Sequence, residues 1–302
     1  MNRNGPVVRP AVVVTGASSG IGEACALHLE GLGFDVFAGV RKQADADALR
    51  SRASAHLTPI MIDVTDEGTI RTAAEEVRTA VGPRGLHGLV NNAGIGVAGP
   101  LEVLPVDELR RQFEVNVIGQ VAVTQAFLSD IRKARGRIVF MGSVAGRFSA
   151  PFLGPYSASK HAIEALTDAL RCELRPWGIQ VAVVEPGSIA TPIWDKGQAE
   201  ADRLIAQLGA GAEELYGEAV ERVREYARQR AVRGTPPDRV AEAVAHFLTS
   251  RRPKTRYMVG LGARLQTVLA TVAPDRAVDA LVSRQLKLPK TPPAVRPKEP
   301  AR

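Results

Sequence analysis

At 302 residues the chain is long enough for one large α/β domain or two smaller ones, and its 45% hydrophobic and 24% charged residues are typical of a globular protein that folds in water. No run of eighteen apolar residues occurs, so the sequence predicts no transmembrane helix. The first nine residues lack the apolar stretch of a signal peptide, and we therefore expect a cytoplasmic protein.

The net charge of +7 does not indicate a nucleic-acid partner. Four of these net charges lie after Leu286, and aromatic residues, at 5%, are too few for a surface that stacks bases. The two cysteines, Cys25 and Cys172, fall in helical patterns, so no structural disulfide is expected. The five histidines are dispersed and lack ligand spacing, so the sequence predicts no metal site.

Six short apolar runs alternate with helical patterns over the first 184 residues. The strand-like runs span residues 11–14, 35–40, 58–62, 86–90, 137–141 and 180–184. Helical spacing occurs over residues 23–31, 69–81, 106–134 and 156–175. Strands that alternate with helices form βαβ units, whose crossovers are right-handed almost without exception. The sequence therefore predicts an α/β fold with a doubly wound parallel sheet of the Rossmann type.

The pattern changes after Pro186. Residues 188–235, here called the lid segment, are charged, have helical spacing and show no strand pattern. An insertion that follows the carboxyl end of a strand could cover a ligand, although a pair of surface helices is the alternative. A helix (236–250), a short strand (255–259) and two helical patterns (264–273 and 277–286) follow. We predict one domain over residues 1–288 and a disordered proline-rich tail over residues 289–302.

A glycine-rich loop joins the first strand to the first helix. Its glycines, Gly16, Gly20 and Gly22, differ in spacing from the common G-x-G-x-x-G fingerprint but serve the same purpose. Glycine permits a tight turn and lets the backbone approach a pyrophosphate, while the helix N-terminus offers unpaired N–H groups. The position at the first βα turn favours a dinucleotide site over a merely structural turn.

The end of the second strand should contact the adenosine ribose of such a ligand. An acidic residue there would bind a free 2′-hydroxyl, but this chain has Arg41-Lys42. The guanidinium of Arg41 could pair with a 2′-phosphate, which favours NADP(H) over NAD(H). A solvated Arg-Lys pair is the alternative. Asp63, which ends the third strand, could bind the adenine amino group or could cap the following turn.

Tyr156 and Lys160 lie one helical turn apart and so share a helix face. The ammonium of Lys160 favours the phenolate and should lower the pKa of the tyrosine from its ordinary value near ~10. A phenol tuned in this way can donate and accept a proton. Ser143, thirteen positions upstream, could hydrogen-bond the oxygen that gains or loses that proton. Taken alone, such a pair is more often a surface tyrosine beside a solvated lysine.

The motifs occur in one order along the chain: the loop at residues 15–22, Asp63-Val64, Asn91-Asn92-Ala93-Gly94, Asn116, Ser143, Tyr156 with Lys160, and Pro186-Gly187. Together they resemble the short-chain dehydrogenase/reductase family over about residues 11–260. Residues 175–178 (Arg-Pro-Trp-Gly) and 254–257 (Lys-Thr-Arg-Tyr) are similar to the branch that holds hydroxysteroid, retinol and 3-hydroxybutyrate dehydrogenases.

The resemblance implies roles for four catalytic residues. Tyr156 would be the acid/base, and Lys160 would lower its pKa and hold the nicotinamide ribose. Ser143 would orient and polarise the substrate carbonyl. Asn116 would lie in a helix irregularity and hold a water of the proton relay, whereas by itself it could be a buried amide that bonds backbone.

The resemblance also implies a set of cofactor-binding residues: Gly16, Ser18, Ser19, Gly20, Ile21, Arg41, Asp63, Val64, Asn91, Ala93, Gly94, Tyr156, Lys160, Pro186, Gly187, Ile189 and Thr191. Many NADP-dependent members place a basic residue where this loop has Ser18 and Ser19. The preference for NADP(H) therefore depends chiefly on Arg41.

The expected substrate is a lipophilic alcohol or ketone, such as a steroid, retinoid or fatty derivative. Its predicted contacts are Ser143, Val144, Leu153, Tyr156, Gly187 and Ile193. Apolar residues before the tyrosine helix and in the lid segment suggest an apolar cover, although they could instead be packed helix cores. We expect a homodimer or homotetramer.

Two other functions fit part of the sequence. A nucleotide-sensing protein could retain the fold, but it would not need Tyr156 and Lys160 in register. A nucleotide-sugar epimerase or dehydratase is disfavoured by the glycine spacing and by the lack of a large C-terminal substrate domain.

Overall fold

The computed structural model describes residues 9–191, 210–232, 234–260, 262–263, 267, 272–288 and 291. Residues 192–209 of the lid segment, which include Ile193, and nearly all of the proline-rich tail lie outside these residues.

The centre of the described chain is a seven-stranded parallel sheet with the strand order β3-β2-β1-β4-β5-β6-β7. The strands are β1 (Ala11–Val14), β2 (Asp35–Val40), β3 (Leu57–Met61), β4 (Gly88–Asn91), β5 (Arg137–Met141), β6 (Gln180–Pro186) and β7 (Arg256–Val259). The order reverses between β1 and β4, and a crevice opens there at the carboxyl ends of the strands. This topology confirms the predicted doubly wound sheet.

Helices cover both faces of the sheet. They are α1 (Gly20–Gly31), α2 (Gln43–Arg50), α3 (Glu67–Val81), α4 (Val106–Phe113), α5 (Gly119–Ala134), α6 (Gly154–Glu173), α7 (Ala210–Val232), α8 (Asp238–Thr249) and α9 (Asp275–Gln285). None of the helices in the described part of the chain is long and apolar enough to cross a membrane.

The alternation of side chains along β1 divides the interior into two cores. Val12 and Val14 pack with Leu29 of α1 and Val244 of α8 on one face, whereas Val13 packs on the other face with residues of α3, α5 and α6. These strand residues are completely buried, as expected for a parallel sheet covered on both sides. The sheet is therefore a rigid base for the loops at its carboxyl edge.

The structure differs from the predicted elements in two places. Helix α2 was not predicted, because only Ala46 and Leu49 in it are buried and the apolar pattern is too sparse to show a helix. The helix predicted over residues 106–134 is interrupted by a π-helical turn at Glu114–Ile118, which contains Asn116. This interruption confirms the irregularity that the family resemblance implies at Asn116.

The described part of the lid segment includes one long helix, α7. Its Tyr216 ring meets the ring of Phe152 edge-on, with centroids 6.2 Å apart, and its hydroxyl hydrogen-bonds the Glu102 carboxylate. A backbone bridge between Ile189 and Thr235 joins the two ends of the segment. Helix α7 thus contacts the loop that precedes the tyrosine helix.

Candidate active site

The glycine loop is shaped by close backbone contacts. Gly16 and Gly20 adopt left-handed φ values of 65° and 63°, which favour glycine. A Cβ on Gly22 would lie 2.2 Å from the Gly16 carbonyl oxygen, and one on Gly16 would lie 2.8 Å from the Ala93 Cα. The loop therefore folds tightly over the start of α1 and against the loop that follows β4.

Thr15 and Asn92 join these two loops, and sequence reasoning had assigned neither of them a role. The Thr15 hydroxyl accepts hydrogen bonds from the N–H groups of Asn92 and Ala93, both at 3.0 Å. The Asn92 side chain donates to the carbonyls of Thr15 (2.9 Å) and Gly16 (3.1 Å). The adjacency of a hydroxyl residue to the first loop glycine was the only sequence signal for this contact.

The loop and the N-terminus of α1 fit the phosphates of a dinucleotide. Ser19 occupies the N-cap position of α1 without making a side-chain cap, so the first helical N–H groups keep their capacity to bind an anion. Ser18, Ser19 and Ile21 are partly exposed there. A side chain at Gly22 would clash with the Gly16 carbonyl, so glycine is needed there for the loop to close over the start of α1.

The residues predicted to bind the adenosine end lie beside this loop. The Ala17 N–H donates to the Gly39 carbonyl at 2.8 Å, which brings the end of β2 next to the glycines. Arg41 follows β2 and is exposed. The Asp63 carboxylate accepts from the N–H (3.0 Å) and hydroxyl (2.8 Å) of Thr65, which is the turn contact that the sequence left as the alternative.

The residues after β4 divide into a structural group and an open group. The Asn91 side chain is buried and donates to the Thr124 hydroxyl of α5 at 2.8 Å, so this amide faces the core. The Ala93 carbonyl accepts from Gln120 at 3.0 Å. Gly94 is exposed at the edge of the crevice. The Asn91 amide oxygen has no hydrogen-bond partner.

Ser143, Tyr156 and Lys160 come together at the carboxyl ends of β5 and β6. Ser143 follows β5 and lies beside Tyr156, and its hydroxyl oxygen is 3.5 Å from the Pro186 carbonyl oxygen. The Lys160 Nζ donates to the Met141 carbonyl at 2.7 Å and lies 5.6 Å from the centre of the Tyr156 ring. Three residues that are distant in sequence thus form one polar cluster.

Burial shifts the pKa values of Tyr156 and Lys160 in opposite directions. Burial raises the pKa of Tyr156 above its ordinary value, and the hydrogen bond with Ser143 offsets only part of that increase. Burial also lowers the pKa of Lys160 to about 8, against the opposing charge of Glu164. The Lys160 ammonium is held at the Met141 carbonyl. The predicted lowering of the Tyr156 pKa by Lys160 stays a prediction.

Asn116 is completely buried in the π-helical turn. Its side chain accepts from the Ile95 N–H at 2.8 Å and donates to the Ile95 carbonyl (3.0 Å) and the Ser159 hydroxyl (3.2 Å). Its amide thus bonds backbone, as the alternative interpretation proposed, and it also ties the β4 loop to the tyrosine helix. That Asn116 holds a water molecule of a proton relay stays a prediction.

Gln112 belongs to the same network and was missed by sequence reasoning. It is completely buried, accepts from the Val97 N–H at 2.6 Å and donates to the Ile95 carbonyl at 3.0 Å. Its amide also approaches the Ser159 hydroxyl at 3.4 Å, and Ser159 in turn donates to the Tyr156 carbonyl at 2.7 Å. Gln112 lies one helical turn before Asn116, and that spacing was the available signal.

The remaining predicted residues border the same crevice. Pro186 and Ile189 are buried, whereas Gly187, Thr191, Val144 and Leu153 are partly exposed. The Gly187 N–H donates to the Val259 carbonyl at 2.8 Å, which holds the end of β6 against β7. Ile193 lies outside the described residues.

Comparison with known proteins identifies the family. Residues 10–202 match the family described as short chain dehydrogenase. The chain belongs to this family. The NADPH-dependent 3-dehydrocapnine reductase of Ornithobacterium rhinotracheale is 36% identical over 288 residues, which cover 91% of this chain and 96% of the relative. Retinol dehydrogenase 5 of Mus musculus is 38% identical over 286 residues, with 92% and 89% covered.

A solved structure supports the same assignment. A short-chain dehydrogenase from Streptomyces avermitilis has a TM-score of 0.72 to this chain at 27% identity, with 93% of this chain and 97% of that chain covered. The family resemblance and the fold inferred from the sequence are thereby confirmed. The chain is an NAD(P)-dependent oxidoreductase that interconverts alcohols and carbonyl compounds.

Proposed function

We propose that this short-chain dehydrogenase prefers NADP(H) and acts on a lipophilic alcohol or ketone, with Tyr156 as the proton donor and acceptor. The observation that carries the mechanism is the cluster in which Ser143 lies beside Tyr156 and the Lys160 Nζ lies 5.6 Å from the centre of the tyrosine ring. When bound, the nicotinamide supplies the hydride chemistry.

The chain's own residues account for the proton. In the direction of reduction, the neutral and partly exposed Tyr156 donates its proton to the carbonyl oxygen as the alcohol forms. The Ser143 hydroxyl orients that oxygen, since it lies beside the tyrosine. In the direction of oxidation, Tyr156 accepts the proton again. Asn116, Gln112 and Ser159 hold the tyrosine helix and the β4 loop in fixed positions.

Arg41 supports the preference for NADP(H). It is exposed at the end of β2, where an acidic side chain would be needed to bind a free 2′-hydroxyl. A guanidinium is well suited to a phosphate, since it presents paired donors. One of the two relatives described above is named as NADPH-dependent, in agreement with this proposal.

Apolar side chains near the start of α6, the helix that carries Tyr156, support a lipophilic substrate. Phe152 meets Tyr216 of α7, Leu101 packs against Gly154 at the start of α6, and Leu153 is partly exposed beside them. An apolar wall with a few polar groups at one end suits a ligand with a hydrocarbon body and one oxygen to be reduced or oxidised.

The catalytic proposal is tested by Tyr156→Phe, assayed with retinoids, steroids, fatty alcohols and hydroxy acids and with both cofactors. Turnover should fall by about 10³-fold or more, because the proton donor is lost, while the cofactor dissociation constant changes less than about threefold. Retained turnover would contradict the role of Tyr156. Tight cofactor binding by the wild-type chain without turnover of any compound would indicate a nucleotide sensor.

The cofactor proposal is tested by Arg41→Ala, with Arg50→Ala as the matched control. Arg50 is an exposed arginine of α2 that pairs with Asp47, so its loss removes a similar charge away from the ribose. Arg41→Ala should weaken NADP(H) binding by about tenfold or more and leave NAD(H) binding unchanged. Equal changes for both cofactors would show that Arg41 does not contact the phosphate.

A further inference from the structure

Two buried carboxylates lie directly beneath the catalytic cluster. Glu164 follows Lys160 by one turn of α6, and its side chain is 9% exposed. Glu185 immediately precedes Pro186 at the end of β6, and its side chain is 0% exposed. One oxygen of each carboxylate has no hydrogen-bond partner. Two buried acids this close repel each other and need cations nearby.

Two arginines from different elements supply those cations. Arg147 contacts Glu185 through Nε (2.9 Å) and through a second nitrogen (2.8 Å), and it reaches Glu164 at 3.3 Å. Arg256, in β7, hydrogen-bonds Glu164 and lies 3.2 Å from Glu185 and 2.6 Å from Asp168. Each of the two carboxylates therefore contacts both Arg147 and Arg256.

Arg147 differs from Arg256 because it belongs to the turn that carries Ser143. The Gly146 N–H donates to the Ser143 carbonyl (2.9 Å), and the Arg147 N–H donates to the Val144 carbonyl (3.0 Å). A Cβ on Gly146 would lie 3.0 Å from the Lys160 carbonyl oxygen, so this turn packs directly on α6. Arg147 thus connects the catalytic serine to α6 and to β6.

We propose that Arg147 is a positioning residue: its contacts with Glu185 and Glu164 fix the Ser143 turn so that the serine hydroxyl stays in contact with Tyr156. The proposal rests on the proposed function of this same site. Loss of Arg147 leaves Arg256 as the one arginine that contacts both carboxylates, beside the Lys160 ammonium that faces Glu164. We expect the turn then to move and let water reach Glu185.

The first test compares Arg147→Gln with Arg256→Gln. Both variants remove one cation from the same two carboxylates, but only Arg147 lies on the serine turn. Arg147→Gln should lower kcat by about tenfold or more with little change in the cofactor dissociation constant, whereas Arg256→Gln should lower kcat less than about threefold. Equal losses in kcat would overturn the proposal.

The second test is a double-mutant cycle with Ser143→Ala, followed by single-turnover kinetics. If Arg147 acts through the serine, Arg147→Gln should have less than about a twofold effect once Ser143 is absent. If Arg147→Gln lowered the rate by the same factor with and without Ser143, the proposal would be contradicted. Should Arg147→Gln fail to fold, Arg147→Lys serves the same cycle, because it keeps the charge but loses the paired donors.

The third test does not depend on turnover. Hydrogen exchange of the peptide that contains residues 143–147 should become faster in Arg147→Gln and stay unchanged in Arg256→Gln. Unchanged exchange in Arg147→Gln would show that the arginine does not anchor the turn. If the wild-type chain turned over no carbonyl compound with either cofactor, the proposed function would be wrong. The hydrogen-exchange rate of residues 143–147 would still show whether Arg147 anchors the turn.

Discussion

The glycine-loop end of the site is made mostly of backbone, whereas the end proposed to transfer the proton is made of side chains, of which Ser143 and Lys160 are buried. At the first end, Gly16, Gly20 and Gly22 allow the chain to fold onto itself, and Thr15 and Asn92 join two loops by bonds to main-chain groups. At the second end, Tyr156 and Lys160 depend on charged and polar neighbours in several elements. The first end tolerates almost no added atoms, while the second is sensitive to changes in charge and hydrogen bonding.

The comparison predicts that the most severe single change lies at the glycine-loop end. In Gly22→Ala the new methyl would lie 2.2 Å from the Gly16 oxygen and 2.4 Å from the Asn92 amide nitrogen, so the loop must shift. We expect cofactor affinity to fall by about 10²-fold or more and the free energy of unfolding to fall by about 3 kcal/mol. Calorimetric titration and thermal unfolding measure these changes.

Gly31→Ala is the matched control for this prediction. Gly31 is in the same helix and has nothing within 4 Å of its added Cβ. Alanine favours helix, so this variant should be as stable as wild type or more stable by up to about 1 kcal/mol. Similar losses in both variants would show that the loop contact does not determine the effect.

Gln112→Ala tests the side-chain end without touching the four predicted catalytic residues. It leaves the buried Val97 N–H without a partner and removes the bond to the Ile95 carbonyl. The free energy of unfolding should fall by about 3 kcal/mol, and kcat should fall with it because Asn116 and Ser159 lose a neighbour. Gln125→Ala, on the exposed surface of α5, should change neither quantity. Equal stability of the two variants in urea unfolding would refute this assignment.

Thr15→Val should have a smaller effect, since it keeps the size of the side chain. It removes the acceptor for the N–H groups of Asn92 and Ala93. Unfolding should become easier by about 1–3 kcal/mol, and cofactor affinity should fall because the two loops separate. Thr79→Val, at an exposed helical threonine that bonds only the carbonyl one turn earlier, should change the unfolding free energy by less than about 0.5 kcal/mol. If Thr15→Val and Thr79→Val had the same unfolding free energy and cofactor affinity, Thr15 would have no role in the site.

The smallest expected effect is a change in the pH dependence of stability in Glu164→Gln. Burial and the charge of Glu185 raise the pKa of Glu164 to about 7, against the opposing charges of Arg256 and Arg147. Lys160 and Asp168, on the same helix, complete the charged groups that face it.

The sign of this dependence follows from proton binding. Because the folded chain holds this proton more tightly than the unfolded chain, the free energy of unfolding should fall as the pH rises from about 4.5 to about 7. In Glu164→Gln that decrease should be shallower, as measured by urea unfolding at intervals of pH. An identical slope in both proteins would show that Glu164 does not titrate in this range.

Part of the fold and the site could be predicted because short-range rules govern it. Buried strands, glycine turns and helical spacing are local, and they indicated the doubly wound sheet and the loop at the first βα turn. Helix α2 was missed because its apolar pattern is sparse. The strand predicted over residues 180–184 ends two residues before β6 does, because Glu185 and Pro186 pair with β7. The sequence left two roles open for Asp63, a contact with adenine and a cap for the following turn, and the contact with Thr65 shows the turn.

By itself, the sequence determined which groups are proposed to react: a tyrosine and a lysine on one helix face, a serine upstream and a glycine loop that fits a dinucleotide. Only the tertiary structure decided what surrounds them. It placed Lys160 at the Met141 carbonyl and raised the pKa of Tyr156, and it brought Gln112 to Ser159 and Arg147 to Glu185. The physical reason is that burial and charge pairing depend on residues far apart in the chain, which local patterns do not encode.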